Sequence, residues 1–176
     1  MKLIFDKAKC LPFTLTIGVV MLDQLVKSFI VKTWPREGTL IKDLFNNGFI
    51  QFYHVRNKAI AFSLGQNLPN SLRPPLFIIL PVIVLGILLW YYITSPQFTF
   101  PQRWAVAGII GGGMGNIIDR VFRPDGVVDY ISVRFYGIFG MERWPTFNIA
   151  DASVVVCCLF LLVTIIFMKD KKEELA

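Results

Sequence analysis

Two aspartates, Asp129 and Asp151, have the clearest chemical potential in this chain, because each adjoins an apolar segment. Asp129 lies in the sequence VVDY, and Asp151 ends the sequence FNIAD. Two carboxylates within hydrogen-bonding distance cannot both ionise without a large free-energy cost, so such a pair shares a proton. It can deprotonate a water molecule and protonate a leaving amine, which predicts an aspartyl peptidase. The alternative is that Asp151 only caps a helix and Asp129 lies in a solvated loop.

Five further polar residues occupy the ends of apolar segments at helical spacing. Asp23 and Lys27 are four positions apart, and Asn116, Asp119 and Arg120 lie on one face of a helical turn. An ionisable group inside hydrocarbon costs about 2.5–3.5 kcal/mol on insertion scales, so each of these residues needs a partner or a function. We expect Asp23 to pair with Lys27 and Asp119 to pair with Arg120, with direct substrate contact as the alternative.

The composition indicates an integral membrane protein. Of the 176 residues, 55% are hydrophobic and 17% are charged, and the mean hydropathy is +0.58, whereas soluble domains carry about 25% charged residues. Four apolar segments approach the ~20 residues that a membrane-spanning helix needs. They comprise residues 11–31, 76–93, 104–122 and 149–168. We therefore predict an all-α membrane protein in which residues 1–176 form a single domain with four transmembrane helices.

Four spans place the two long loops, residues 32–75 and 123–147, on the same side of the membrane. The ends of the first and third spans and the start of the fourth span also meet there. The polar residues are therefore expected to converge at one membrane surface. The sequence GFIQFYHV at 48–55 is rich in aromatic and β-branched residues, which predicts a small extracytoplasmic β-sheet at that surface.

Charge and cysteine content weigh against several other classes of protein. The net charge of +6 is spread along the chain, which favours an anionic lipid surface over nucleic acid as the partner. Lys and Arg number seven in the tails and the short turn and nine in the two long loops, so the overall count leaves the orientation open. Lysines crowd against the first and the last span, however, which favours cytoplasmic termini. Cys10, Cys157, Cys158 and the single His54 show no metal-ligand spacing, so we expect no metal and no cofactor.

Five sequence blocks resemble those of the bacterial lipoprotein signal peptidase family, signal peptidase II. In chain order they are DQLVK at 23–27, NKAIAF at 57–62, the glycine-rich run at 111–120, VDY at 128–130 and FNIAD at 147–151. The resemblance implies that Asp129 and Asp151 are the catalytic pair. It also implies that polar residues line the site, namely Asn57, Asn116, Arg120 and Asn148, and that charged residues support it, namely Asp23, Lys27 and Asp119. Ala59 stands where the family usually has glycine.

The resemblance also implies a substrate and a location. Members of this family remove signal peptides from diacylglyceryl-modified prolipoproteins, cleaving before the lipidated cysteine at the outer face of the bacterial inner membrane. Both termini are then cytoplasmic, and we expect a monomer. Two rival classes are a small proton-coupled transporter, which also uses intramembrane charges, and a structural membrane subunit. A transporter places polar groups near the midplane and often contains internal repeats, which are not evident in this sequence.

Overall fold

The computed structural model describes residues 7–58, 69, 72 and 75–173. Four long helices and a small sheet make up most of these residues. In chain order the elements are α1 (Lys7–Cys10), α2 (Phe13–Thr33), β1 (Leu40–Asp43), β2 (Ile50–Asn57), a π-helical turn (Pro75–Ile79) that leads into α3 (Leu80–Thr94), α4 (Phe100–Phe122), β3 (Val127–Val133), a 3-10 turn (Ile138–Gly140) and α5 (Ile149–Glu173). Ala59 and the rest of the block up to residue 62 lie outside the described residues.

The predicted fold class is confirmed, because helices predominate and several of them suit a membrane. Within the described part of the chain, three helical segments are long and apolar enough to cross a bilayer, namely Lys7–Thr33, Pro75–Thr94 and Ile149–Phe167. They correspond to the predicted spans 11–31, 76–93 and 149–168. The fourth predicted span, 104–122, corresponds to α4, which has 23 residues but is less apolar because of its glycines and polar ends.

Helix α4 is less apolar because it faces protein more than lipid. It packs against α2, α3 and α5, and many of its residues are buried. A Cβ atom on Gly112 would lie 2.3 Å from the Ala150 carbonyl oxygen of α5. A Cβ atom on Gly115 would lie 2.8 Å from Oδ2 of Asp23 in α2. The glycines therefore allow α4 to lie directly against the two helices that carry polar groups of the predicted site.

The sheet is antiparallel with strand order β1-β2-β3, so it combines both long loops. The expectation of a sheet built within loop 32–75 was therefore incomplete, because β3 comes from the second loop. The sequence VVDYISV of β3 has the apolar, β-branched character of a buried strand. Its Val128 and Tyr130 pack with Ile30 of α2, which fixes the sheet to the end of the helical bundle.

The other end of the bundle has its own polar contacts. Arg103 of α4 is buried and donates hydrogen bonds to the carbonyl oxygens of Tyr92 at 3.2 Å and Ser95 at 3.3 Å. Nζ of Lys9 donates to the carbonyl oxygen of Ile93 at 2.9 Å. These cations satisfy carbonyl groups at the end of α3 that have no partner within the helix. The short connection between α3 and α4 is thereby held in place.

Candidate active site

Asp129 lies on β3 and is 2% exposed. The strand register places Val55 of β2 opposite Asp129 and Asn57 opposite Val127. Nδ2 of Asn57 donates to Oδ2 of Asp129 at 2.9 Å, and Nδ2 of Asn148 donates to Oδ1 at 2.7 Å. Both carboxyl oxygens are therefore held by uncharged amide donors from two different elements, and the sheet determines where they point.

Asp151 lies in the first turn of α5, where Asn148 is the N-terminal cap. Oδ1 of Asn148 accepts a hydrogen bond from the Asp151 backbone N–H at 2.9 Å, and Oδ2 of Asp151 accepts one from the Asn148 backbone N–H at 3.2 Å. This reciprocal arrangement resembles a capping box, so Asp151 does cap the helix. Its other oxygen, Oδ1, accepts a hydrogen bond from Nδ2 of Asn116 at 2.7 Å, which ties it to α4 as well.

Two amides connect the two aspartates, and we call Asn116 and Asn148 the amide bridge. Nδ2 of Asn148 donates to Oδ1 of Asn116 at 3.1 Å as well as to Asp129. A continuous hydrogen-bonded path therefore runs from Asp151 through Asn116 and Asn148 to Asp129. The bridge fixes both carboxylates relative to each other and joins β3, α4 and α5.

Burial and repulsion between the aspartates favour a protonated Asp129. Desolvation is the largest effect and the negative charge of Asp151 the second, and together they raise the pKa of Asp129 to about 7. Hydrogen bonds from Asn57 and Asn148 and the positive charge of Lys27 oppose this shift. At neutral pH the Asp129 carboxyl group is therefore about half protonated, as a carboxylate pair that shares one proton requires.

A fully buried cluster of charges lies directly behind the amide bridge. Nζ of Lys27 is 2.8 Å from Oδ2 of Asp23, 3.0 Å from Oδ2 of Asp119 and 3.0 Å from Oδ1 of Asn116. The predicted ion pair between Asp23 and Lys27 is confirmed. Lys27 also joins α2 to α4 and orients Asn116, so its role extends beyond its own helix.

The predicted ion pair between Asp119 and Arg120 was wrong. Asp119 instead forms ion pairs with Lys27 and with Arg123, the residue four positions further along. Consecutive residues of a helix point in different directions, so Arg120 cannot share the face of Asp119. The Arg120 guanidinium lies 5.1 Å from the centre of the Phe77 ring and borders the same cavity as the two aspartates.

The two buried acids of the cluster also hold the backbone beside each aspartate of the pair. Oδ2 of Asp119 accepts a hydrogen bond from the Val128 N–H at 3.1 Å. Oδ1 of Asp23 accepts one from the Ala150 N–H at 3.1 Å. Val128 and Ala150 each precede an aspartate of the pair, so the charge cluster anchors both segments that carry the candidate catalytic residues.

A cavity of about 800 Å³ contains both aspartates on its wall. Its polar side also includes Arg56, Asn57, Asn116 and Arg120. Its apolar lining comes from the Trp144–Phe147 segment and from α5, including Val154, Val155 and Val156. A cavity with acids at one side and hydrophobic residues at the other suits an amphipathic substrate.

The structure brings every predicted site residue to this end of the bundle, and it adds residues that sequence reasoning missed. Gln24 donates to Oδ1 of Asp119 at 3.0 Å and to the Gly115 carbonyl oxygen at 2.9 Å. Arg123 holds Asp119, and Arg56 borders the cavity. The i, i+4 spacing of Asp119 and Arg123 was a signal for that pair. Arg56 precedes Asn57 in β2, and the alternation of a strand alone does not predict that Arg56 borders the cavity.

Metal-ligand clusters do not occur among the residues that the structure describes, where no group of three or more His, Cys, Asp or Glu side chains could hold an ion. His54 is buried on β2, and its Nδ1 atom lies 2.6 Å from the Trp34 carbonyl oxygen. The three cysteines are free thiols. None of these four residues borders the cavity that contains the aspartates.

Fold and site together define a multi-pass membrane protein with two carboxylates, a buried Asp129 and a half-buried Asp151, that border a cavity at one end of the bundle. The family model described as signal peptidase (SPase) II matches residues 15–167. The chain therefore belongs to the signal peptidase II family and is a membrane peptidase.

Relatives and solved structures support this assignment over nearly the full chain. The lipoprotein signal peptidase of Treponema pallidum is 43% identical over 96% of this chain and 88% of its own length. That of Treponema denticola is 44% identical over 94% of both chains. A bacterial membrane enzyme solved by the in meso method at 2.3 Å resolution superposes with a TM-score of 0.72 at 27% identity, covering 92% of this chain and 90% of its own.

Proposed function

We propose that the chain is a lipoprotein signal peptidase that cleaves diacylglyceryl-modified prolipoproteins before the lipidated cysteine, with Asp129 and Asp151 as its catalytic pair. The observation that carries the proposal is that both carboxylates border one cavity and are joined by the amide bridge. The apolar wall of that cavity would accommodate the hydrophobic signal segment and the acyl chains of such a substrate.

In the proposed reaction the two aspartates share one proton and act on a water molecule between them. The ionised carboxylate removes a proton from the water as the water oxygen attacks the scissile carbonyl carbon, and the protonated carboxyl group donates its hydrogen bond to the carbonyl oxygen. The tetrahedral intermediate then collapses, the C–N bond breaks, and a carboxyl group transfers a proton to the leaving amine. Asp129 is the natural holder of the initial proton, because burial raises its pKa to about 7.

The remaining predicted residues divide into two roles in this proposal. Asn57, Asn116 and Asn148 orient the carboxyl groups through hydrogen bonds, and Arg120 offers a cation to the substrate carbonyl oxygen from the cavity wall. Asp23, Lys27 and Asp119 support the site from behind. All three side chains are fully buried and are bound by other protein groups, which favours support over substrate contact.

The proposed membrane orientation has the sheet and the active site at the outer face and both termini in the cytoplasm. The supporting observation is that the site lies at the end of the bundle where α2 and α4 finish and α5 begins. A lipidated precursor is anchored at a membrane surface, so its cleavage needs a site at that depth. The transporter alternative has no comparable support, because the charge cluster lies at one end of the bundle and not along a path through it.

The test is cleavage of a lipidated precursor by purified, reconstituted protein. Asp129→Asn and Asp151→Asn keep the side-chain shape but remove the titrating group, so each should abolish cleavage. Because the two residues act as a unit, the double substitution should be scarcely slower than either single one. Asp125→Asn is the matched control, since Asp125 is an exposed acid four positions from Asp129 and should leave the rate unchanged.

Near-normal cleavage by a correctly inserted Asp129→Asn or Asp151→Asn protein would contradict the catalytic assignment of that residue. If instead the wild-type protein cleaves no lipidated precursor but hydrolyses other membrane peptides, the substrate assignment is wrong and the catalytic pair stands.

A further inference from the structure

We infer that Arg123 is a positioning residue for the peptidase reaction, acting through Asp119 to hold β3 where Asp129 meets its amide partners. The inference rests on the proposed catalytic role of Asp129. Arg123 directly follows α4 as its C-terminal cap, and its backbone N–H donates to the Asp119 carbonyl oxygen at 2.7 Å. Arg123 does not line the cavity that contains the aspartates; it lines a smaller neighbouring cavity, and Arg120 borders both.

The Arg123 guanidinium reaches back over the last turn of α4 and binds three side chains on two helices. Nη1 pairs with Oδ1 of Asp119 and donates to Oε1 of Gln24 at 3.0 Å. Nη2 donates to Oγ of Ser28 at 3.1 Å. Gln24 and Ser28 belong to α2, so one side chain fastens the end of α4 to α2. The planar guanidinium carries these donors on two separate nitrogens, whereas a lysine ammonium concentrates its donors on one atom and cannot reproduce that spacing.

Asp119 depends on Arg123 because it is a fully buried carboxylate. Its Oδ1 atom is held by Arg123 and Gln24, whereas its Oδ2 atom is held by Lys27 and by the Val128 N–H. A buried charge requires both a counter-ion and satisfied hydrogen bonds. The counter-ions are shared, because Lys27 also neutralises Asp23. Arg123 therefore balances the second acid, and the cluster of Asp23, Lys27, Asp119 and Arg123 has no net charge.

Loss of Arg123 would disturb the positions of the proposed catalytic pair in two ways. Asp119 would be free to rotate, which loosens its bond to the Val128 N–H directly before Asp129. Lys27 would also be drawn towards two uncompensated acids and away from Oδ1 of Asn116, the amide that binds Asp151. Both routes change the geometry of the carboxylates and leave the apolar lining of the cavity, such as Trp144 and Val155, unchanged. The expected effect is therefore on kcat more than on KM.

The experiment measures kcat and KM for cleavage of a lipidated precursor by reconstituted Arg123→Gln and Arg123→Lys proteins. A misplacement of about 1 Å at catalytic groups can cost about a hundredfold in rate, so Arg123→Gln should lower kcat by about tenfold to a hundredfold with KM within about twofold. Arg123→Lys keeps the positive charge but lacks the planar guanidinium, so its kcat should fall less than that of Arg123→Gln. Arg134→Gln is the matched control, because Arg134 forms an exposed ion pair with Glu142 and should leave both constants unchanged.

A second comparison separates action through Asp119 from a general loss of stability. If Arg123 acts through Asp119, the Asp119→Asn/Arg123→Gln double variant should be no slower than Asp119→Asn alone, since interacting residues are non-additive.

Multiplicative losses of kcat in the double variant would overturn the inference. So would an Arg123→Gln protein with the kcat of Arg134→Gln, or one in which only KM changes. If Arg123→Gln fails to insert, the same comparison with Arg123→Lys decides. An active wild-type enzyme in these assays keeps the proposed function standing whichever result is obtained.

Discussion

Asp129, one of the two proposed catalytic residues, lies in an environment that disfavours its own charge. The residue is buried, it repels Asp151, and its pKa is raised to about 7. Since the unfolded carboxyl group has a pKa of 3.8, the folded protein binds the extra proton between these two values. Asp129 therefore destabilises the folded protein increasingly as pH rises from about 4 to about 7. In the proposed mechanism the reaction needs that proton, which gives this destabilisation a function.

The raised pKa of Asp129 predicts how the stability of an Asp129→Asn protein should depend on pH. The neutral amide removes the cost of burying the charged form, but it offers Asn57 and Asn148 one acceptor oxygen instead of two. The unfolding temperature of the variant relative to that of the wild type should therefore be higher at pH 8 than at pH 4, where wild-type Asp129 is protonated. Wild-type cleavage should fall as pH rises through about 7. Thermal unfolding and initial rates at both pH values check these expectations, and a difference in unfolding temperature that is the same at both pH values contradicts them.

Residue identity allowed much of the site to be predicted, because buried charges need partners and the sequence offers few. The ion pair between Asp23 and Lys27 follows from helical spacing alone. The amide bridge does not, because Asn116 and Asn148 are 32 positions apart and meet only when α4 packs on α5. The prediction that Asp119 pairs with Arg120 was wrong. Arg123 lies four positions after Asp119, and this i, i+4 spacing is the one that forms the ion pair.

The elements show a similar division between local and long-range information. Apolar runs of span length indicated the helices, whereas pairing of β2 with β3 joins residues such as Asn57 and Val127, which are 70 positions apart, and has no local signature. The glycine-rich sequence of α4 indicates close helix packing, but the sequence does not name the partners. Gly112 is distinguished by contact with the backbone of α5, because its missing Cβ leaves room for the Ala150 carbonyl oxygen.

A substitution at Gly112 should therefore separate α4 from α5 and disturb the site. The added methyl group of Gly112→Ala would meet backbone at 2.3 Å, so the helices must move apart. We expect a lower unfolding temperature and a loss of cleavage of about tenfold or more, since small displacements of catalytic groups are costly. Gly86→Ala in α3 is the matched control, because its Cβ meets nothing within 4 Å. Equal stability and activity of the two variants would contradict the packing role of Gly112.

At the scale of the whole molecule, the proposed orientation places the two ends of the bundle in different compartments. Cysteine labelling of intact cells tests it, starting from a protein in which Cys10, Cys157 and Cys158 are alanine. Asp125→Cys, in the turn before β3, should react with a membrane-impermeant maleimide added outside. Gln97→Cys, between α3 and α4, should react only after the membrane is opened. The reverse pattern would place the active site in the cytoplasm.

The position of α4 among the other helices also bears on how the protein enters the membrane. Alone, α4 is a poor candidate for insertion, because it is glycine-rich and ends in the charged residues Asp119 and Arg120. Its Asp119 gains a partner when α4 meets Lys27 of α2, which is synthesised earlier. Asn148 and Asp151 arrive only with α5, the last helix in chain order. Under the proposed assignment, a chain that has inserted α2 and α4 but not α5 lacks half of the catalytic pair, so peptidase activity requires α5 to join the bundle.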